Sequence, residues 1–171
     1  MRTMVILLLV ILATPVYSLE ICSMSNWAAT YGGSDDEEAT SILQTSDGGY
    51  IVAGYTNSFG SGGDIWILKL NENGSVEWQK AYGRGSDMTY FIQQTSDGGY
   101  IVVGVTESLE PTVWWKDIWV LKLDENGNVE WQKTYGEYGV DIAESIQLTS
   151  DGGYIVAGYT YSFGAGYSDV W

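Results

Sequence analysis

A chain of 171 residues with no histidine and a single cysteine excludes histidine-dependent nucleophiles, general bases and metal ligands, and with them internal disulfides and cysteine-cluster zinc. Seven basic residues against 22 acidic ones, a formal charge of −15, argue against nucleic acid and anionic membrane surfaces as partners, because affinity for a polyanion comes from Lys and Arg neutralising phosphates. At 45% hydrophobic and 17% charged, with the apolar share rich in Trp, Tyr, Ile and Val, the composition suits an all-β globular protein rather than a disordered acidic tail.

In chain order, Arg2 precedes an unbroken apolar run from Val5 to Ala13, then Thr14-Pro15-Val16-Tyr17-Ser18. A charged start, a short apolar stretch and small residues before a cut predict a secretory signal peptide over residues 1–18, cleaved after Ser18. A membrane-spanning helix needs about 20 apolar residues, and Pro15 interrupts this run early. The expected location is therefore secreted or cell surface, with membrane contact only through an uncleaved signal sequence. Cys22 follows Ile21, whereas lipoprotein signals resemble one another in a small residue just before the lipidated cysteine, so Cys22 reads as a lone thiol.

Beyond residue 38 the chain repeats itself, and a repeat decides the fold before any single segment does. The run from Thr45 to Gly54 (TSDGGYIVAG) returns from Thr95 to Gly104 and again from Thr149 to Gly158, at offsets of 50 and 54 residues. Asp64 to Leu70 (DIWILKL) returns as Asp117 to Leu123 and begins again at Asp169-Val170-Trp171. Asn73 to Lys80 returns as Asn126 to Lys133, followed each time by Tyr-Gly, at Tyr82-Gly83 and Tyr135-Gly136. Trp27 to Gly32 (WAATYG) looks like the tail of the same unit. These blocks divide the chain into an N-terminal segment at 19–38 with one strand at 27–31, a first repeat at 39–87, a second at 88–141 and a third, shorter one at 142–171.

Each unit predicts four short strands. The first runs from about Ala39 to Thr45 and turns at Ser46-Asp47-Gly48-Gly49, where glycine supplies the positive φ of a tight hairpin. The second covers Tyr50 to Thr56. A loop over Asn57 to Gly63 leads to the third at Asp64 to Leu70, and Glu72-Asn73-Gly74 turns into the fourth at Val76 to Tyr82. Strand two is almost continuously apolar, and strand three sets Trp66, Leu68 and Leu70 opposite Ile65, Ile67 and Lys69. Sheets apolar on both faces must be covered on both.

Four-stranded antiparallel units of this length, repeated, are the pattern of a β-propeller. The units resemble those of secreted and cell-surface β-propeller-repeat proteins of bacteria and archaea, in runs such as SDGGYIVAGYT, DIWILKLNENG and WQK-x-YG. The resemblance covers the chain from Trp27 onward and implies an all-β, propeller-type array of antiparallel blades. Propellers use 4 to 8 blades, so about three units are expected to be an incomplete array, a piece of a longer propeller or one of several chains completing a ring. The implied partners are an extracellular protein or glycan, further blades of the same protein, or another copy. The expected function is a non-catalytic binding or scaffold module. The alternative is the N-terminal part of a propeller hydrolase or quinone-type oxidoreductase whose catalytic residues lie outside this chain.

Candidate chemistry is sparse. Glycoside hydrolysis needs a spaced pair of carboxylates, and Asp35, Asp36, Glu37, Glu38, Glu107, Glu110, Asp141 and Glu144 offer many, mostly in expected loops where solvated acid is ordinary. Propeller sialidases resemble one another in three arginines on a carboxylate, but beyond residue 18 the chain keeps only Arg84. Quinone-dependent repeats share the Gly-to-Trp spacing of Gly74 to Trp78 and Gly127 to Trp131, but Asn73 and Asn126 replace their threonine, and a hairpin docking a tryptophan between blades explains the spacing. No organic cofactor is expected. Calcium takes oxygen ligands, and Asp35, Asp36, Glu37 and Glu38 are its weak candidates, since Asp124-Glu125-Asn126-Gly127 has its glycine too early for an EF-hand loop.

The aromatic residues sort by register. Trp66, Trp119 and Trp171 recur, as do Trp27, Trp78 and Trp131, and Tyr50, Tyr100 and Tyr154; with the paired turn glycines Gly48, Gly49, Gly98, Gly99, Gly152 and Gly153 they read as structural. Trp114 and Trp115 do not recur. They sit in the second unit's loop between strands two and three, which is longer there and holds Pro111. Two adjacent tryptophans in an irregular loop are the candidate ligand-binding residues, equally readable as cover for an apolar edge. Asn73-Gly74-Ser75 fits a glycosylation pattern but lies in a hairpin.

Overall fold

A computed structural model describes residues 27–84, 86–107 and 115–171, together with the backbone of 6–7. The rest of the expected signal peptide, Cys22 and Trp114 lie outside the described residues. The chain is all-β: three antiparallel sheets of three or four strands, and a short ribbon in which β1 (Ile6–Leu7) pairs with β2 (Ala28–Ala29). No helix among the described residues is long and apolar enough to cross a membrane.

The first sheet runs in chain order through β3 (Glu37–Gln44), β4 (Tyr50–Thr56), β5 (Asp64–Leu70) and β6 (Val76–Tyr82). The second does the same through β7 (Met88–Gln94), β8 (Tyr100–Glu107), β9 (Lys116–Leu123) and β10 (Val129–Tyr135). The third holds β11 (Asp141–Leu148), β12 (Tyr154–Thr160) and β13 (Asp169–Val170). Strands two to four of the first unit have the bounds expected from the sequence. The first strand begins two residues early, at Glu37, because Glu37 and Glu38 pair with Thr56 and Tyr55 and are held extended rather than released into a loop. Of the strand expected over 27–31, Ala28 and Ala29 are paired.

Local chemistry explains each corner. Gly48, Gly98 and Gly152 have φ of 85°, 86° and 84°, where a side chain is strained. In every copy the turn Asp, at Asp47, Asp97 and Asp151, accepts the amide of the second glycine and the hydroxyl of the Thr that opens the turn. The first strand of each sheet carries a β-bulge, between Ala39 and Ser41, Thr89 and Phe91, and Ala143 and Ser145. Opposite it stands a glycine that the backbone leaves no alternative. A Cβ on Gly54, Gly104 or Gly158 would lie 2.0, 2.0 or 1.9 Å from a carbonyl oxygen of the neighbouring strand.

Packing follows the two apolar faces. Ile51, Ala53, Ile65 and Ile67 of the first sheet pack on Tyr100, Val102, Trp119 and Leu121 of the second. The second sheet's opposite face, with Ile101, Val103, Ile118 and Val120, packs on Ala143 and Ile146 of the third. On the first sheet's other face, Tyr50, Val52, Trp66 and Leu68 are buried beneath Trp27, Tyr31 and Phe59. The third sheet's outer face is the one that in the first two sheets packs on the next sheet, and it is open: Ile155 is 60% exposed where Ile51 and Ile101 are 0%.

Candidate functional site

The sheets meet through one recurring contact. The rings of Trp27 and Tyr50, Trp78 and Tyr100, and Trp131 and Tyr154 lie 6.1, 6.0 and 6.1 Å apart, the first two in the edge-to-face arrangement aromatic quadrupoles favour and the third tilted at 54°. Four residues after the tryptophan a tyrosine hydroxyl reaches the next sheet's second hairpin, Tyr31 donating to the Gly74 carbonyl and Tyr82 to that of Gly127, both at 2.6 Å. Burial, and secondarily the Asp124 charge, push the Tyr82 hydroxyl's pKa up, so it remains a donor. A Cβ on Gly74 or Gly127 would come within 2.9 and 2.8 Å of the Trp27 and Trp78 rings. The remaining recurring tryptophans pack elsewhere: Trp66 stacks on Phe59 at 5.6 Å, Trp119 donates its Nε1–H to Gln132, and Trp171 meets Tyr135 and Phe163.

Two lysines sit on apolar strands and are held there by charge. The Lys69 ammonium lies 2.8 Å from Asp47 and 2.9 Å from Glu77 and donates to the Leu70 carbonyl. Lys122 repeats this with Asp97, Glu130 and Leu123. Burial alone would lower both ammonium pKa values, but the paired carboxylates more than offset it and leave them raised. Gly49 and Gly99 are required beneath, since a Cβ on either would stand 2.3 or 2.2 Å from the Leu70 or Leu123 carbonyl oxygen that the lysine also contacts.

At the opposite end of each sheet, acidic residues recur at the starts of strands one and three: Glu37, Asp87 and Asp141, then Asp64, Asp117 and Asp169. Most of them cap loops. Glu37 accepts the amides of Gly33 and Ser58 and the Thr56 hydroxyl, and these bonds outweigh its burial and lower its pKa. Asp64 accepts from the Ser61 amide and hydroxyl, Asp87 from the Arg84 amide, Asp169 from the Ala165 and Gly166 amides, and Asp141 from the Ser162 hydroxyl. Asp117 differs. Its pKa is raised, first by burial and then by the Asp141 charge, and Oδ1 of both aspartates is buried without a hydrogen-bond partner among the described residues.

The weak calcium candidates do not converge. Asp35, Asp36 and Glu38 are exposed, while Glu37 is spent on its loop. No group of three or more metal-capable side chains occurs among the described residues.

Trp115 lies just before β9 and meets Tyr138 edge-on, the ring centroids 4.9 Å apart. Tyr138, 75% exposed, belongs to the 136–140 connection into the third sheet, which a parallel bridge from Lys116 to Val140 ties to the same edge. The structure thus sets one sequence candidate beside an aromatic residue that the sequence reading passed over. The signal was available: Tyr138, like Trp115, is an aromatic present in one unit and missing from its counterparts. Two hollows flank the second sheet. One of about 830 Å³ is lined by Arg84, Asp87, Glu107, Asp117 and Lys133 over Trp119. The other, about 290 Å³, is lined by Trp131, Tyr135, Tyr154 and Trp171. A half-buried tryptophan beside an exposed tyrosine and a mixed-charge groove floored by an indole suit a ligand with polar edges and apolar faces, such as a sugar or a peptide. No protein-family model matches the chain, and comparison with curated proteins finds no match either.

Proposed function

We propose that the chain is an exported, non-catalytic module of propeller-type blades that binds an extracellular protein or glycan. The observation that supports this reading is the recurrence of the Trp–Tyr contact at 6.0 to 6.1 Å, twice between successive sheets and once between the N-terminal segment and the first sheet, as equivalent stacked units would require. Blades held this way form a rigid body, and ligand contacts fall to the irregular loops, because sites rather than folds carry function. Among the described loops the Trp115–Tyr138 pair offers a contact surface, with Tyr138 exposed and Trp115 half-buried behind it, since exposed large aromatics anchor partners with little loss of side-chain freedom.

The test is binding of the full chain to glycan and peptide arrays, with Trp115→Ala and Tyr138→Ala alongside. The expected result is a bound class lost in both variants with the circular dichroism spectrum unchanged; binding indifferent to both residues removes this surface from the reading. Export is tested separately, by the N-terminus of protein recovered outside the cell, which begins at Leu19 if the cut follows Ser18.

A further inference from the structure

We propose that the carboxylates of Asp117 and Asp141 together hold a divalent cation, calcium before others, at the junction of the second and third sheets. The two residues come from different units, Asp117 from the start of β9 and Asp141 from the start of β11. They are brought together around Gly136, whose φ is 151°. A Cβ at that position would lie 2.1 Å from Asp117 Oδ1 and 2.6 Å from Asp141 Oδ2, so the space between the carboxylates exists because residue 136 has no side chain.

Three further facts point to a ligand. Asp141 is fully buried and Asp117 partly so, yet Oδ1 of each has no hydrogen-bond partner among the described residues. A buried carboxylate oxygen without a donor is costly, and here each of two neighbouring carboxylates keeps one. Among the described residues no lysine or arginine forms an ion pair with either carboxylate. Among the described residues the Ser162 hydroxyl donates to Asp141 Oδ2. The arrangement is also built into the repeat. Around Gly83, at the previous junction, a Cβ would lie 2.1 Å from Asp87 Oδ2 and 2.9 Å from Asp64 Oδ1, but there the Ser61 and Arg84 amides supply donors. The junction at Gly136 presents the same acidic pair with oxygens left over, and a hard cation completing its shell with water is what such oxygens take.

The experiment is calorimetric titration of chelator-stripped full chain with calcium, with thermal unfolding measured in parallel. We expect one calcium per chain at the weak end of the range, a Kd of about 10⁻⁴ to 10⁻³ M as befits two carboxylates, and a melting temperature that rises with calcium concentration. Asp117→Asn and Asp141→Asn each weaken binding at least about tenfold, while in chelator both melt no lower than the parent, because the facing charges are gone. Should Asp141→Asn fail to fold, Asp117→Asn carries the comparison. No heat and no melting shift in the parent up to about 10 mM calcium would overturn the proposal. So would binding that persists in the double variant, which would move the ion elsewhere, the Asp35 to Glu38 segment included.

Discussion

Asp47 and Asp97 show how a residue that looks like turn punctuation also holds a buried charge. Both carboxyls are lowered from 3.8 to about 2, Asp47 chiefly by Lys69 and then the Thr45 hydroxyl, Asp97 chiefly by the Thr95 hydroxyl and then Lys122. A carboxyl whose folded pKa lies below its unfolded value stabilises fully above the unfolded pKa, and that contribution is lost as pH falls through the folded one. The urea midpoint is therefore expected to drop between about pH 4 and about pH 2, and to drop less in the Asp47→Asn/Asp97→Asn double variant. The aspartate side chains are 56% and 57% exposed, so solvent screening keeps each contribution under about 1 kcal/mol. Glycines of the same motif separate two kinds of constraint. At Gly48 a Cβ meets nothing within 4 Å, so Gly48→Ala costs only the left-handed backbone, about 1 kcal/mol. At Gly54 the Cβ would strike the Glu38 carbonyl at 2.0 Å, backbone on backbone, and Gly54→Ala is expected to cost about 3 kcal/mol or more. Equal losses in the two denaturation curves would contradict the bulge as the reason for the second glycine.

At the scale of elements, one turn receives two side chains from the preceding sheet, the Trp78 ring against Gly127 and the Tyr82 hydroxyl on its carbonyl. Trp78→Ala removes most of an aromatic contact and is expected to cost about 3 kcal/mol; Tyr82→Phe orphans one carbonyl at about 1 kcal/mol. Because both act on one turn, the double variant should fall short of the sum by about 0.5 kcal/mol or more, and strict additivity in a denaturation cycle would show the contacts to be independent. Strands of this kind were legible in the sequence because short segments bounded by glycine turns recur at a fixed spacing; Tyr50–Thr56, Asp64–Leu70 and Val76–Tyr82 needed no tertiary information. The start of β3 was not legible, since Glu37-Glu38 reads as a solvated loop until Ser58 and Thr56 are seen donating to Glu37. Nor was the Asp117–Asp141 pair, whose members belong to different repeats and meet only once sheets are stacked. Trp115 stood out because it breaks the repeat. Its partner Tyr138 breaks it equally, but as a lone aromatic in a short connection it gave a weaker sign.

For the molecule as a whole, stacking leaves one account open. A sheet apolar on both faces is dry only when covered on both, and the motif isoleucine measures the cover directly: 0% exposed at Ile51 and Ile101, 60% at Ile155. On the same face, opposite Tyr159, Val170 of β13 is 92% exposed, on a strand two residues long. An uncovered apolar face next to a short edge strand promotes association with like surfaces. The chain as given is therefore expected to self-associate with rising concentration in sedimentation velocity, through this face. Ile155→Lys should hold it monomeric over the same range with an unchanged circular dichroism spectrum, because the lysine head reaches solvent at that position. The same change at Ile101 puts an unpaired charge between two sheets and is expected to unfold the protein. The contrast carries the argument, since identical motif positions then differ only in what the stack places over them. A parent chain that stays monomeric to about 100 µM, or an Ile155→Lys variant that associates as the parent does, would show that this face does not drive association.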